Sequence, residues 1–397
     1  DQQQLQPIHL FQVLTMKDKK IFIIAANVFI AVILVQTYFR PFKDMKLSGA
    51  EKKAVPGIPT IGDIIKGKFQ NDVELWLKQN IGFRGTFVKT DNQINFSVFN
   101  EFSRSHPKKI LLGKNLQLFE EPYIDVYNRL LTVPVPQIEK KAGDIQRLQE
   151  KLKARNVKFL LILTPSKATI YPEVIPDKYI LAGAAEKKDN YQLIIPMLKQ
   201  RGVNVLDGRE MFLEMKKEGT THLFPSSGSH WSLYGAYLFG TKMIQRMEQI
   251  LGRRLVHMPM KKLIPSREPI DLDKDIARLG NILFTRSLFT DYVYPETYPD
   301  APANAYRPDM LLVGSSFCWN FLKYFDQNRV FSRIDFFYYF NTDWVYPGMQ
   351  RIPIDRAAIN WNRDVLTKDI IIIEINEILI QEAGFGFVEA ALSALDR

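Results

Sequence analysis

Cysteine is almost absent from this chain. Cys318 is the only one in 397 residues, which excludes an internal disulfide and any cysteine-based zinc site. A lone thiol in an apolar stretch is expected to be buried and inert. Histidine is nearly as scarce, with five in all, so histidine-dependent chemistry has few places to sit. No long basic run and no nucleic-acid motif occurs, although 53 Lys and Arg against 43 Asp and Glu leave a formal charge of +10. That surplus suits an anionic membrane surface or an acidic polymer, or is simply a basic surface, and it argues against nucleic acid. Internal repeats and low-complexity tracts are also missing. What remains is 46% apolar, with 27 Phe and 16 Tyr. Such a chain can bury one large core or two modest ones and is not disordered.

One long uncharged run is present. Ile21 to Phe39 reads IFIIAANVFIAVILVQTYF, and at 1.5 Å per residue it covers roughly the 30 Å hydrocarbon core of a bilayer. Lys17, Lys19 and Lys20 precede it, and Arg40 and Lys43 follow. The denser charge at the start favours a cytoplasmic N-terminus. No small-residue cleavage site follows, so an uncleaved signal anchor is expected rather than a removed signal peptide. A buried core helix is the alternative. Asn27 is the only strongly polar side chain in the first 15 residues of the run. Met16 and the charged residues after it read as a natural start, leaving 1–15 as an extension or an expression remnant. The expected division is then 16–39 for the n-region and anchor, 40–68 for a juxtamembrane linker, and 69–397 for one large domain.

Within that domain, helical periodicity over 63–100, 138–154, 191–201 and 234–251 alternates with short apolar runs at 110–114, 157–163, 203–207, 310–313, 330–336 and 369–375. Helices alternating with strands predict an α/β fold with a mostly parallel sheet covered on both faces. Residues 252–306 break the alternation and end in a Tyr/Pro-rich stretch, YVYPETYPDAP. They are read as an insertion or lid.

The chemistry rests on two motifs. Ser227-Gly228-Ser229-His230-Trp231-Ser232 sets a histidine in a Gly/Ser loop just before a helix, and Gly314-Ser315-Ser316-Phe317 follows the apolar run Leu311-Leu312-Val313. A serine on a strand-to-helix turn and a histidine on a distant loop are the parts needed for acyl transfer through a covalent intermediate. Parallel sheets hold their sites at the carboxyl ends of strands, where Ser316 falls. His9, His106, His222 and His257 have no comparable surroundings. A core histidine held by a backbone hydrogen bond is the alternative for His230.

The same residues carry a resemblance. GSHW-S-x-Y-G-A followed by GSSF is similar to motifs of the alginate O-acetyltransferase group (AlgJ/AlgX type), SGNH-hydrolase-like proteins whose patterns read D-x-H-W and G-D-S-F. Phe83-Arg84, the run Gly113 to Glu120, the run Thr164 to Glu173 and Asp369 to Glu377 match further elements in the family's order. The resemblance implies an SGNH-hydrolase-like three-layer αβα fold, with Ser316 as nucleophile and His230 as base. It departs from the family at Gly228 and at Ser315, where the family has aspartates. The triad acid is therefore open. A Ser-His dyad is one answer, and Asp207, ending an expected strand, is the candidate third member. Gly314, Ser315 and Ser229 are candidates for the oxyanion site, and Trp231, Lys167 and Tyr171 for substrate contact, with Glu377 beside Lys167 as a weaker one. No metal or diffusible cofactor is implied.

Taken together, these features predict an extracytoplasmic, single-pass membrane O-acetyltransferase acting on a secreted or cell-surface polysaccharide. The resemblance implies a membrane-bound O-acyltransferase partner that passes acetyl across the membrane, ultimately from acetyl-CoA. A carbohydrate acetyl esterase using the same two residues, and a catalytically silent scaffold or polysaccharide-binding subunit, are the rivals.

Overall fold

The computed structural model describes residues 16–49, 58–102 and 109–396. His9, His106 and the expected extension at 1–15 lie outside the described residues. The chain divides into two units: residues 1–94 with 281–283, and residues 95–280 with 284–397. The boundary thus falls later than the expected start at 69, because the helix Lys68–Asn80 and most of Arg84–Phe99 belong to the first unit.

In the first unit a 23-residue helix, Met16–Tyr38, carries the apolar run. Most of its Ile, Phe and Val side chains are exposed, Phe22 to 70%, and the helix is long and apolar enough to cross a membrane. At its C-terminal end Gln36 and Thr37 are buried, and Thr37 Oγ1 accepts from Gly82 N at 2.8 Å. The stretch expected to be a linker is partly built. Asp44 caps the start of Arg84–Phe99 by accepting from Gly85 N and Thr86 N at 2.8 and 3.0 Å. Thr60 and Asp63 form a capping box on the short helix Ile61–Ile65.

The second unit is built on a seven-stranded sheet. Its strands are β1 (Lys158–Thr164), β2 (Val205–Asp207), β3 (Asp309–Gly314), β4 (Arg333–Tyr338), β5 (Thr342–Tyr346), β6 (Gln350–Pro353) and β7 (Ile370–Asn376). Their spatial order is β6-β5-β4-β3-β7-β1-β2. The five from β4 to β2 are parallel, and β5 and β6 add an antiparallel edge. The central strands read as unbroken apolar runs because both faces are covered. Leu160, Ile162, Met310, Leu312, Ile370 and Ile372 face one core with the helices Leu233–Leu251 and Cys318–Gln327. Phe159, Leu161, Leu311, Val313, Ile371 and Ile373 face the other with Val135–Lys153, Asn190–Gln200 and Phe387–Leu395. This is the expected three-layer αβα arrangement. The C-terminal stretch 377–395 is also long and apolar, but its residues Ile380, Phe387, Ala391 and Leu395 fill the second core.

Residues 252–306 are not a detached lid. Met260–Ser266 and Tyr292–Thr297 pair as an antiparallel ribbon, and the segment between them is tied to the histidine loop. Ser227 Oγ donates to Asp273 O at 2.6 Å, and Ala277 N donates to Ser227 O at 3.0 Å.

Ile372 is fully buried at the middle of β7, between β3 and β1. Ile372→Ala is expected to lower the unfolding free energy by about 2–5 kcal/mol through lost contacts and the cavity left behind. Urea denaturation of the two proteins measures it.

Candidate active site

Three adjacent strands, β3, β7 and β1, deliver chemistry-bearing residues at the C-terminal end of the sheet. β3 ends at Gly314, and Ser315 and Ser316 form the turn into the helix Cys318–Gln327. The turn is tight. A Cβ on Gly314 would lie 2.6 Å from Cys318 Sγ and 2.9 Å from Glu374 Cβ. Glu374, buried in the adjacent β7, accepts from Ser315 N at 2.7 Å and from Thr164 Oγ1 at 2.5 Å. Burial pushes its carboxyl up, against the hydrogen bonds from Thr164 and Ser315.

The histidine loop is fixed from both sides. Ser232 caps the helix Leu233–Leu251 through Gly235 N at 2.8 Å, with its hydroxyl donating to His222 O. Trp231 Nε1 donates to Phe317 O at 2.9 Å, and Asn320 Nδ2 donates to Trp231 O at 2.9 Å. Loop and serine turn are thereby locked together. His230 Nε2 lies 2.7 Å from Ser316 Oγ, and the imidazole packs 4.7 Å from the Phe317 ring.

The third group is Asp275, not Asp207. Asp275 Oδ2 lies 2.5 Å from His230 Nδ1 and also accepts from Ser229 Oγ at 2.9 Å, while Oδ1 accepts from Ser229 N at 2.9 Å and Ile276 N at 2.7 Å. Burial alone would raise this carboxyl. The neighbouring His230 and the two Ser229 donors outweigh it and hold Asp275 below its ordinary value. An ionised Asp275 fixes the proton on Nδ1 and leaves Nε2 free to accept from the serine. Asp207 is engaged elsewhere. It caps the helix Gly208–Lys217 through Arg209 N and Glu210 N and accepts from Tyr191 OH at 2.8 Å. Gly228 is where Asp275 needs room, since a Cβ there would meet Leu272 O at 2.6 Å and Asp275 Oδ1 at 3.0 Å.

Several expectations for the surroundings are corrected. The Ser315 and Ser229 N–H groups are committed to Glu374 and Asp275, so neither is a free oxyanion donor, and Gly314 is the last residue of β3, its carbonyl accepting from Tyr339 N at 2.9 Å. Trp231 is fully buried and contacts Phe212, Phe239, Phe317 and Phe321. Lys167 is 1% exposed and Glu377 2%. Neither Trp231 nor Lys167 is placed to touch a substrate. Glu377 accepts from Ser166 N and pairs with Arg209. Tyr171 stays half-buried on a cleft of about 490 Å³ with Phe224 and Tyr292. Cys318 is buried, as expected, and burial pushes its thiol up.

Two neighbours were not read from the sequence. Tyr339 OH lies 3.4 Å from Ser316 Oγ, and the Ser316 N–H also points to the phenol oxygen. Tyr339 and Phe340 both adopt left-handed φ, 49° and 51°, and Arg356 holds this turn by donating to Phe340 O at 2.9 Å and Asn341 Oδ1 at 2.9 Å. The turn faces a cleft of about 450 Å³ walled by Lys141, Asn341, Arg356 and Phe385. A pair of tyrosines ending a strand was the available signal. For Asp275 it was the acid-rich DLDKD at 271–275.

The family described as SGNH hydrolase-like domain, acetyltransferase AlgX, matches residues 113–329, a span that includes His230, Asp275 and Ser316. A relative named probable alginate O-acetylase AlgJ, from Pseudomonas aeruginosa, is 25% identical over 195 residues, covering 48% of this chain and 46% of the relative. The chain thus aligns with about half the length of that curated relative. Among solved structures, the O-acetyltransferase domain of Pseudomonas putida AlgJ is similar with a TM-score of 0.45 and 15% identity, over 69% of this chain and 92% of that one. Pseudomonas aeruginosa AlgX is similar with a TM-score of 0.44 and 14% identity, over 71% and 67%.

Asp275→Ala is expected to leave the fold intact and slow acylation of Ser316 by an activated ester about 10²–10⁴-fold. Asp207→Ala should cost about 0.5–2 kcal/mol of stability as a lost cap and acylate near the wild-type rate. Stopped-flow acylation and denaturant melts separate the two. The lowered Asp275 carboxyl also fixes a sign. Its ionised contacts stabilise the fold above the ordinary value of 3.8 and are lost as pH falls through the depressed one. The stability gap between wild type and Asp275→Asn should narrow in acid, as urea melts at graded pH would register.

Proposed function

We propose, because the chain belongs to the AlgX family of SGNH hydrolase-like acetyltransferase domains, that it transfers acetyl groups to polysaccharide hydroxyls through an acetyl-Ser316 intermediate. The observation that carries this reading is the chain of contacts from Asp275 to His230 to Ser316, at 2.5 and 2.7 Å. His230 Nε2 takes the proton of Ser316 Oγ as the oxygen attacks the donor carbonyl, and the imidazolium returns it to the leaving group. Asp275 stabilises that imidazolium. The acceptor hydroxyl then gives its proton to the same Nε2 as it attacks the serine ester, and the imidazolium passes that proton to Ser316 Oγ as the ester bond breaks. Tyr339 OH, 3.4 Å from Ser316 Oγ, is the donor assigned to the developing oxyanion.

The acceptor is assigned to the cleft beside Tyr339, whose lining pairs Lys141 and Arg356 with Glu382 and Glu389 and adds Asn341 and Gln381 as hydrogen-bonding groups for sugar hydroxyls. Alginate, named for the Pseudomonas relative, is a polymer that carries them. The apolar helix Met16–Tyr38 is read as a signal anchor, with the catalytic unit outside the cytoplasm. Acetyl-CoA is cytoplasmic, so acetyl would reach Ser316 from a membrane-bound O-acyltransferase partner, and no cofactor of its own is assigned to this chain. The silent-scaffold alternative drew on Gly228 and Ser315 standing where acids were expected. Asp275 at His230 Nδ1 speaks to the first of these, the missing acid at 228.

The test is intact mass and peptide mapping after exposure to an activated acetyl ester. One acetyl on Ser316 is expected, diminished in His230→Ala and absent in Ser316→Ala. Added oligosaccharides should take up the acetyl faster than water does, and release only to water would mean an esterase. Label on Ser315 or Cys318 in the folded protein would refute the site.

A further inference from the structure

Lys167 follows β1 at the same end of the sheet and is 1% exposed. Its Nζ donates to three backbone carbonyls, Leu118 O at 3.0 Å, Ser226 O at 2.9 Å and Gly228 O at 3.1 Å. All three ammonium protons are therefore used. Among the described residues no carboxylate pairs with it. A fully buried ammonium without a counter-ion is costly, and a buried charge is often replaceable by a hydrophobic side chain of similar volume. Something must favour the charge.

The carbonyls it grips supply the reason. Ser226 and Gly228 flank Ser227, whose hydroxyl and carbonyl hold the 273–277 segment. The peptide from Gly228 to Ser229 bridges two charges. Its carbonyl accepts from the Lys167 ammonium at 3.1 Å, and its N–H donates to Asp275 Oδ1 at 2.9 Å. The peptide dipole is thus aligned between cation and anion, where each charge strengthens the other's hydrogen bond.

We propose that Lys167 is a positioning residue of the triad, holding Asp275 ionised and in line with His230 through the Gly228–Ser229 peptide. The proposal rests on the acyl-transfer reading above. Burial lowers the Lys167 ammonium to about 7, with Asp275 acting in the opposite direction. Asp275 is the charged group that acts on Lys167, and Asp275 in turn acts on Tyr123 and is acted on by His230. Loss of the Lys167 proton removes the cation from one end of the peptide bridge.

The experiment measures acylation of full-length protein in detergent micelles by p-nitrophenyl acetate, for wild type, Lys167→Met, Asp275→Asn and the double variant. Lys167→Met is expected to lower the acylation rate constant at least tenfold with KM for the ester unchanged. Its effect should vanish in the Asp275→Asn background, because it acts through that carboxylate. The wild-type rate should fall as pH rises beyond about 7, and Lys167→Met should lack that fall. A wild-type rate and pH profile in folded Lys167→Met would overturn the proposal, as would a full penalty persisting in the double variant. Should Lys167→Met not fold, Lys167→Gln, which keeps a donor without the charge, is read by the same criteria. Absence of acylation in wild type would overturn the underlying reading and this one with it, whereas wild-type acylation with an unaffected Lys167 variant would overturn this one alone.

Discussion

Everything at this end of the sheet depends on keeping one partly buried carboxylate charged. The Asp275 side chain is only 18% exposed, and that burial by itself favours its neutral form. The neighbouring His230, the Ser229 N–H and the Ser229 hydroxyl reverse that. A neutral Asp275 would present a proton of its own to the imidazole and lose its hold on the tautomer. The serine would then face a ring nitrogen in no fixed state. Ser229 is thus tied to the acid by two bonds and to the base by sequence adjacency.

The sheet imposes the remaining geometry. Parallel strands β7 and β1 run two residues past the end of β3, so Glu374 and Thr164 reach Ser315 beneath the nucleophile. That contact anchors Ser315 and turns its neighbour Ser316 outward. The helix Leu233–Leu251 packs on the same core as the helix after Ser316. Trp231, with its indole hydrogen bond to Phe317 O, transmits the spacing of those helices to the 2.7 Å gap between His230 and Ser316. A residue whose sequence position invited a sugar-stacking role is instead what holds the two loops in register.

Local features were legible in the sequence, and directional ones were not. The buried strands β1, β3 and β7 announce themselves as unbroken apolar runs. The helix Val135–Lys153 does so through Ile138, Ala142, Ile145, Leu148 and Leu152 on one face. His230 and Ser316 were readable because Gly/Ser loops beside a helix start and a strand end have few other uses. The edge strands β5 and β6 were missed, since TDWVY and QRIP mix polar and apolar residues without a clear period. Asp275 was hidden by distance, 45 residues from His230 in sequence, and by company, as Asp271 and Asp273 stand at matching two-residue steps. Only the fold distinguishes them. Lys167 was noticed as a motif residue, but sequence does not say whether a lysine points out to a ligand or in to a ring of carbonyls.

The location of the acid follows from what catalysis requires. Imidazole needs a carboxylate at a point in space beside Nδ1, and the chemistry is indifferent to which stretch of chain brings it there. An aspartate two residues before the histidine would bring it by the loop's own curvature. With glycine at 228, the loop leaves that space open, and the backbone of Leu272 and the carboxylate of Asp275 enter it to within 3 Å of where a Cβ would stand. The two solutions exclude each other sterically, because any side chain at 228 collides with the segment that carries Asp275. Glycine at 228 and aspartate at 275 are therefore one feature of this chain rather than two, and a reading of either alone makes the site look incomplete.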